Sequence, residues 1–534
     1  MKKNKDKEKL VKTREKVRSP TIMRFILVGL ILFIELIILI LFIVLLDGTV
    51  ILYVSTFLDL FISIIIGIII VNSKSSPSYK ITWLFFMLIF PIPVAIFYLL
   101  FANKKFSKRE YKKLAPSLKS LNSAMSSEIS GGMLDKIDRN KDPDAYNIAK
   151  YLKDYSLNNI YSDTEVTYFA WGEDAFPIMK EKLRLAKHYI FMEYFIIAPG
   201  RMWEEILDIL IDKVKEGVDV RLLYDDLGCV STLPKNYAKT LSKYGIKCHV
   251  VSPLKPFLDI RMNNRDHRKI MVIDGHTGFT GGINIADEYI NEKLRFGKWK
   301  DNQIMLEGEA VFGLTALFIS TWIRITNDNR AINFLNYLPM KYAYEATPFK
   351  HSSGLVQPYG SLPYTFETVG QNVYVNLCLK AKKYLYITTP YLILDDQMQG
   401  AIMQASKNGV KVKLLIPAIP DKKIVYQLSR SYAVNLIKAG VEVYEYTPGF
   451  VHAKTFLVDG VMGTVGTINL DYRSLYLHME NGTFLYKCDC LKDIERDMEE
   501  TFRVSKRITK EDVNNISIFR KFLWALLKVF APLM

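Results

Sequence analysis

Apolar positions run unbroken near the start of the chain and then become periodic. Phe25 to Leu46 is a continuous apolar stretch interrupted by Glu35, and Val50 to Val71 is a second, carrying Asp59. Each is long enough to cross a bilayer as a helix, and a link of only Asp47-Gly48-Thr49 predicts a helical hairpin. A third apolar run, residues 81–101, has Pro91-Ile92-Pro93 at its centre. Proline breaks helices, and each half of this run is about 15 Å as helix. The third segment therefore either dips into the membrane and returns or spans it. Residues 102–160 are polar and read as a linker with a lead-in helix.

Beyond residue 160 the pattern changes to short apolar strands alternating with amphipathic helices, and it occurs twice. AKHYIFMEYFII is echoed by AKKYLYITTPYLI, EGVDVRLLYDD by NGVKVKLLIPA, and YGIKCHVVSP by AGVEVYEYTP. Such alternation predicts an α/β sheet with helices on both faces, and self-similarity predicts a duplication. The halves are placed at 161–330 and 353–515, with a crossover at 331–352. The final segment, 516–534, sets Phe519, Phe522, Leu523, Leu526 and Phe530 against Arg520, Lys521 and Lys528. It is too short and too charged to span, and it reads as an amphipathic helix lying in a membrane interface.

The chemistry sits in one stretch of each half, 262–288 and 447–474. Each reads His-x-Lys, four residues, Asp, six residues, Gly-[Gly/Thr]-x-Asn. The first contains His267, Lys269, Asp274, Gly281, Gly282 and Asn284; the second contains His452, Lys454, Asp459, Gly466, Thr467 and Asn469. Residues two apart on a strand share a face, so His and Lys point together, with Arg268 or Ala453 turned away. Asp-Gly marks a hairpin turn. A turn centred between residues 275 and 276 sets Asn284 opposite His267, and one between 460 and 461 sets Asn469 opposite His452. An imidazole, an ammonium and an amide clustered in this way suit a phosphate oxyanion.

These residues resemble the HKD motif of the phospholipase D superfamily. The flanking MEYFII, VDVRLLYDD, KLLIPAIPDKK and GTINLDYRS are similar to bacterial cardiolipin synthases. The resemblance implies a duplicated phospholipase D-like αβα sandwich with a pseudo-twofold active site, preceded by transmembrane helices. It implies transfer of a phosphatidyl group between two phosphatidylglycerol molecules through a phosphatidyl-histidine, with neither cofactor nor metal. The superfamily's usual order makes His267 the nucleophile and His452 the acid/base, although the residues alone leave the reverse open. Lys269, Lys454, Asn284 and Asn469 would hold the phosphate. A carboxylate about thirty residues after each His, Asp301 and Glu480, would orient the imidazoles. Asp274 and Asp459 belong to the motif and would brace the site. Glu193, Tyr194, Tyr224, Asp225, Arg430 and Tyr432 are weaker candidates. His188, His249, His276, His351 and His478 have no motif support and read as structural or solvated.

Composition narrows the partner. The net charge is +16, which suits anionic lipid or nucleic acid. The apolar runs favour anionic membrane lipids such as phosphatidylglycerol over nucleic acid. Ten lysines and arginines in residues 1–24 place that tail on the cytoplasmic side under the positive-inside rule. The expectation is a multi-pass bacterial membrane protein with a cytoplasmic catalytic domain. Five cysteines without a CxxC pair argue against a disulfide framework. A lipid hydrolase is the alternative, and a membrane-attached nuclease a more distant one. Oligomeric state is not legible.

Overall fold

The computed structural model describes residues 49–101, 134–156, 158–254, 263–326, 334–338, 353–363 and 367–533. The basic tail at 1–24, the apolar run at 25–46, most of the crossover and His351 lie outside the described residues. The chain divides into two compact units.

The larger unit holds two mixed sheets. The first has seven strands: β1 (Thr164–Phe169), β2 (Tyr189–Tyr194), β3 (Asp219–Asp225), β4 (Lys247–Val251), β5 (Lys269–Ile273), β6 (Thr277–Gly281) and β8 (Gln303–Gly308), in the order β1-β8-β6-β5-β2-β3-β4. The short β7 (Lys298–Lys300) stands apart from this sheet. The second sheet contains β9 (Leu355–Ser361), β10 (Tyr384–Thr388), β11 (Lys411–Pro417), β12 (Glu442–Tyr446), β14 (Thr455–Val458), β15 (Met462–Gly466), β16 (Glu480–Tyr486) and β17 (Lys506–Arg507). Its order is β17-β12-β11-β10-β14-β15-β16-β9. The remaining strand, β13 (Gly449–Val451), pairs in parallel with β7 and so ties one half to the other.

Alternation along β5 shows why the strand is apolar after Lys269. Ile270 and Val272 enter a core that also takes residues from the second half, whereas Met271 and Ile273 enter a core confined almost wholly to the first. Both faces of the strand are covered, so period-two patterning delivers side chains to two separate cores. The helices Val311–Thr326 and Cys490–Arg503 contribute heavily to the shared core. The halves are not cleanly divided in sequence. The helix Pro143–Ser156 belongs with the second half, where Gln357 donates to the Ala149 carbonyl at 3.1 Å, and Tyr161 bridges Val356. All five cysteines are free and buried.

The smaller unit contains the helices Thr49–Val71, Pro77–Ile89, Pro91–Phe101 and Ile518–Phe530. One helix ends at Ile89, with Phe90 as its cap, and the next begins at Pro91, the break expected where proline lacks the amide hydrogen to continue a ladder. Ile66, Ile70, Met87, Val94, Ala95 and Tyr98 pack together as its core. The C-terminal helix joins this unit through Phe530 against Phe86, ring centroids 5.3 Å apart, and through the Thr82 hydroxyl on the Val529 carbonyl at 2.8 Å. Its Ile518 and Phe519 remain 85% and 76% exposed. Side chains of the helix Thr49–Val71 are described only from Thr56, and among the described residues no helix is long and apolar enough to cross a membrane.

Candidate active site

Both motif histidines sit on the segment entering a hairpin, immediately ahead of β5 and β14. The turns that follow differ from expectation by one residue. Ile273 pairs with Thr277 and Val458 with Met462, so the hairpins centre on Gly275 and Gly460 rather than beside them. Asp274 and Asp459 take left-handed φ values of 50° and 54°, a conformation Asp tolerates better than most residues. Three residues rather than two make each turn, and neither asparagine falls opposite its histidine.

Asp274 and Asp459 have a structural task in that conformation. Asp274 accepts the amide hydrogens of Lys187, His188 and Tyr189 at 2.7–2.8 Å, and Asp459 those of Lys382, Lys383 and Tyr384 at 2.8–2.9 Å. Each carboxylate caps the start of the neighbouring strand. Both carboxylates are thus engaged by backbone amides of the neighbouring strand.

The orienting carboxylates are where the motif spacing misleads. Asp301 and Glu480 do contact the histidines, but each serves the other half's ring. His267 Nδ1 is 2.9 Å from Glu480 Oε2, and His452 Nδ1 is 2.6 Å from Asp301 Oδ2. Backbone pairing between the halves causes the exchange. β13 lies beside β7 with Val451 against Lys300, and the His452 amide donates to the Lys300 carbonyl at 2.7 Å. The next residue along each strand is then the ring and its carboxylate. In the other direction Asp266 bridges Met479, and the His267 amide donates to the Met479 carbonyl at 2.9 Å. Pairing within one half, as thirty-residue spacing suggests, does not occur.

An ionised carboxylate can only accept, so each imidazole carries its hydrogen on Nδ1 and presents a bare lone pair at Nε2. Burial lowers both rings, His267 to about 3 and His452 to about 4, against the pull of their carboxylates. Burial pushes Glu480 upward, but the His267 ring outweighs it and holds the carboxyl well below its ordinary range. Asp301 is held down in the same sense by His452 and Lys454.

Lys269 and Lys454 are buried, and each ammonium donates to the carbonyl of the histidine two residues before it. Burial lowers Lys269 to about 7 and Lys454 to about 8. The two ammonium groups also repel each other, and Lys269 acts on His452 across the halves. Both motifs therefore feed one electrostatic site, in which the two ammonium groups are set against Asp301 and Glu480, with Asp266, Asp421 and Asp471 acting from further out.

The asparagines part company. Asn284 accepts the Ile196 amide at 2.9 Å and donates to the Tyr289 hydroxyl at 2.7 Å, leaving one amide hydrogen for a ligand. Asn469 is buried, and its side-chain oxygen has no hydrogen-bond partner among the described residues. Arg268, turned away from Lys269 as expected, forms a buried ion-pair cluster with Glu193 at 2.6 Å and Asp266 at 3.0 Å. Glu193 is thereby a brace rather than a cleft residue. Asp225 accepts the Asp266 amide at 3.0 Å and fixes the segment leading into His267. Tyr194 is buried, Tyr224 lies in a core, and Arg430 pairs with Glu445 at 3.4 Å, so none of these joins the histidines.

Four ring neighbours escaped sequence reasoning. Trp299 and Tyr289 pack on His452 with centroids 5.4 and 5.5 Å apart, His478 on His267 at 5.6 Å, and Phe195 on His267 at 5.0 Å. Trp299 and His478 each precede a carboxylate by two positions, a same-face spacing on a strand that could have flagged both. His267, His478 and Glu480 also bring ligand atoms within 4.8 Å of one another and could hold a metal. A cation seated on Nδ1 of His267 would displace the proton that links that ring to Glu480.

A family model described as the PLD-like domain of cardiolipin synthase matches residues 179–303 and 374–502. Cardiolipin synthase of Halalkalibacterium halodurans is 34% identical, covering 88% of this chain and 92% of that protein. Cardiolipin synthase 2 of Bacillus anthracis is also 34% identical, covering 88% and 90%. A crystal structure of phosphatidylserine synthase from Haemophilus influenzae superposes with a TM-score of 0.51 at 19% identity, covering 69% of this chain and 93% of that one. That likeness bears on the fold alone.

Proposed function

The chain belongs to the cardiolipin synthase family of phospholipase D-like enzymes, and from that premise we propose that it joins two phosphatidylglycerol molecules into cardiolipin and glycerol. The observation carrying this reading is the crossed pair of imidazoles, each held by its Nδ1 and each accompanied by a buried ammonium.

In the first step His267 Nε2 attacks phosphorus and the bond from phosphorus to the glycerol headgroup breaks. His452 gives a proton to the departing oxygen. Both rings are neutral without substrate, so His452 takes this proton from solvent as the substrate binds, because the phosphate charge raises the imidazole's affinity for it. Lys269 and Lys454 neutralise the charge that grows on the non-bridging oxygens of the five-coordinate state. In the second step His452 takes the proton of a hydroxyl on another phosphatidylglycerol. That oxygen displaces His267 from phosphorus, and cardiolipin leaves. One phosphodiester is exchanged for another, so the outcome depends on keeping water from competing with the lipid alcohol.

Membrane attachment belongs to the same reading. The apolar run at 25–46, the helix Thr49–Val71 with Phe57, Phe61, Ile64 and Ile68 exposed, and the exposed apolar face of the C-terminal helix all support a bilayer-embedded smaller unit. Basic residues in 1–24 and 104–113 support a cytoplasmic catalytic unit.

The test is purified full-length protein in vesicles of labelled phosphatidylglycerol. Cardiolipin with an equal amount of glycerol is expected. Phosphatidic acid with glycerol would identify a hydrolase instead, and cleavage of single-stranded DNA with lipid untouched would identify a nuclease.

A further inference from the structure

The two halves surround their histidines differently, and the difference is concentrated on Glu480. Asp301 uses both oxygens, Oδ2 toward His452 and Oδ1 to accept the Asn302 amide at 2.9 Å. Glu480 crowds its bonds onto one oxygen. Oε2 accepts from His267 and from the Thr467 hydroxyl, whereas Oε1 is buried with no hydrogen-bond partner among the described residues. An unused carboxylate oxygen in a dry site is costly, and it leaves the carboxylate plane free to pivot about its occupied oxygen.

The group nearest that oxygen is His478. Its Nδ1 stands 3.6 Å from Glu480 Oε1, within ion-pair reach and beyond a hydrogen bond. The His478 side chain is only 10% exposed, and both ring nitrogens are buried with no hydrogen-bond partner among the described residues. The ring also lies against His267 at 42°. In the first half the matching position, two residues before the carboxylate, holds Trp299, which packs on His452 at 47°. Similar ring packing thus recurs on both sides, and Trp299 Nε1 is likewise buried without a partner among the described residues, but both Asp301 oxygens are already engaged, whereas Glu480 keeps Oε1 for a donor.

We propose that His478 is a positioning residue for His267: a small rotation brings its Nδ1–H onto Glu480 Oε1, which fixes the carboxylate plane and, through it, the direction of the His267 lone pair. This rests on the reading of His267 as a reacting group. The role has no counterpart at His452, where the Asn302 backbone holds the second oxygen. Glu480 then accepts from three donors, and its negative charge is divided among His267, Thr467 and His478.

The experiment uses the full chain in phosphatidylglycerol vesicles. His478→Phe keeps the ring and removes its donors. His478→Asn keeps a short donor. The inference expects kcat to fall roughly 10-fold or more in His478→Phe, the scale usual for loss of a group that orients a reacting ligand, with KM unchanged. His478→Asn should recover most of the rate. Unchanged kcat in His478→Phe overturns the inference, as does equal loss in both variants. His478→Leu is run beside them, so that loss of the fold in one donor-free variant, seen by circular dichroism, leaves the other to decide. A wild-type chain that makes no cardiolipin refutes the proposed reaction itself. An active wild type matched by His478→Phe refutes only the role of His478.

Discussion

Glu480 Oε2 lies 2.9 Å from His267 Nδ1, although 213 positions separate them in the chain. The carboxylate fixes the tautomer, and an amide in its place would offer a donor where an acceptor is needed. Glu480→Gln should lower kcat by roughly 10³–10⁴, as in triads with the corresponding change. Asp301→Asn should do likewise through His452. Trapping with radiolabelled lipid identifies the nucleophile: if it is His267, any label held by Asp301→Asn is on His267, and His267→Ala holds none.

Gly282 marks a close approach to the other carboxylate. A Cβ there would lie 1.9 Å from Asp301 Oδ1, far inside contact distance. Gly282→Ala should push Asp301 off His452 and lower kcat by about 10² or more, with the thermal midpoint little changed. Steady-state assays beside a melting curve check both halves of the expectation.

Much of this was legible beforehand. The motif spacing singled out His267, Lys269, His452 and Lys454, and the strand–helix alternation gave the sheet class, because both follow from local periodicity. Hairpin register was not, because Asp274 and Gly275 take left-handed conformations that leave three residues in the turn. The exchange of Asp301 and Glu480 between halves was not either. It is set by pairing of β7 with β13 and of Asp266 with Met479, contacts to which linear spacing is blind. His478 was passed over because a lone histidine outside a motif carries no signal until Glu480 is seen beside it.

Burying lysines creates a pH signature. Lys269 and Lys454 sit near 7 and 8 when folded and near 10.4 when unfolded. Between those values the unfolded chain holds more protons, so stability rises with pH across that window. Lys269→Met should therefore stabilise the fold at pH 6 and bring little benefit at pH 10, as read by urea denaturation. A bound phosphodiester restores the ammonium form, so binding at pH 8 should take up protons, and more than at pH 6. Calorimetry in buffers of different ionisation enthalpy measures the count.

Arg268 is buried with Glu193 and Asp266 around it. Arg268→Met would leave Glu193 and Asp266 facing each other with only the weaker pull of Arg324. Loss of one partner from such a buried group costs about 3–5 kcal/mol, and denaturant titration of the variant should show it. Glu193→Gln should cost less, because Asp266 still pairs with the guanidinium.

Since each ring borrows its acid from the opposite repeat, one repeat alone is chemically mute. Severing the chain within the crossover should give two fragments that regain turnover only when mixed, and a half-length ancestor would have had to work as two copies. Fusion freed the copies to diverge, yet bound them as mutual creditors: neither can lose its acid without silencing its twin.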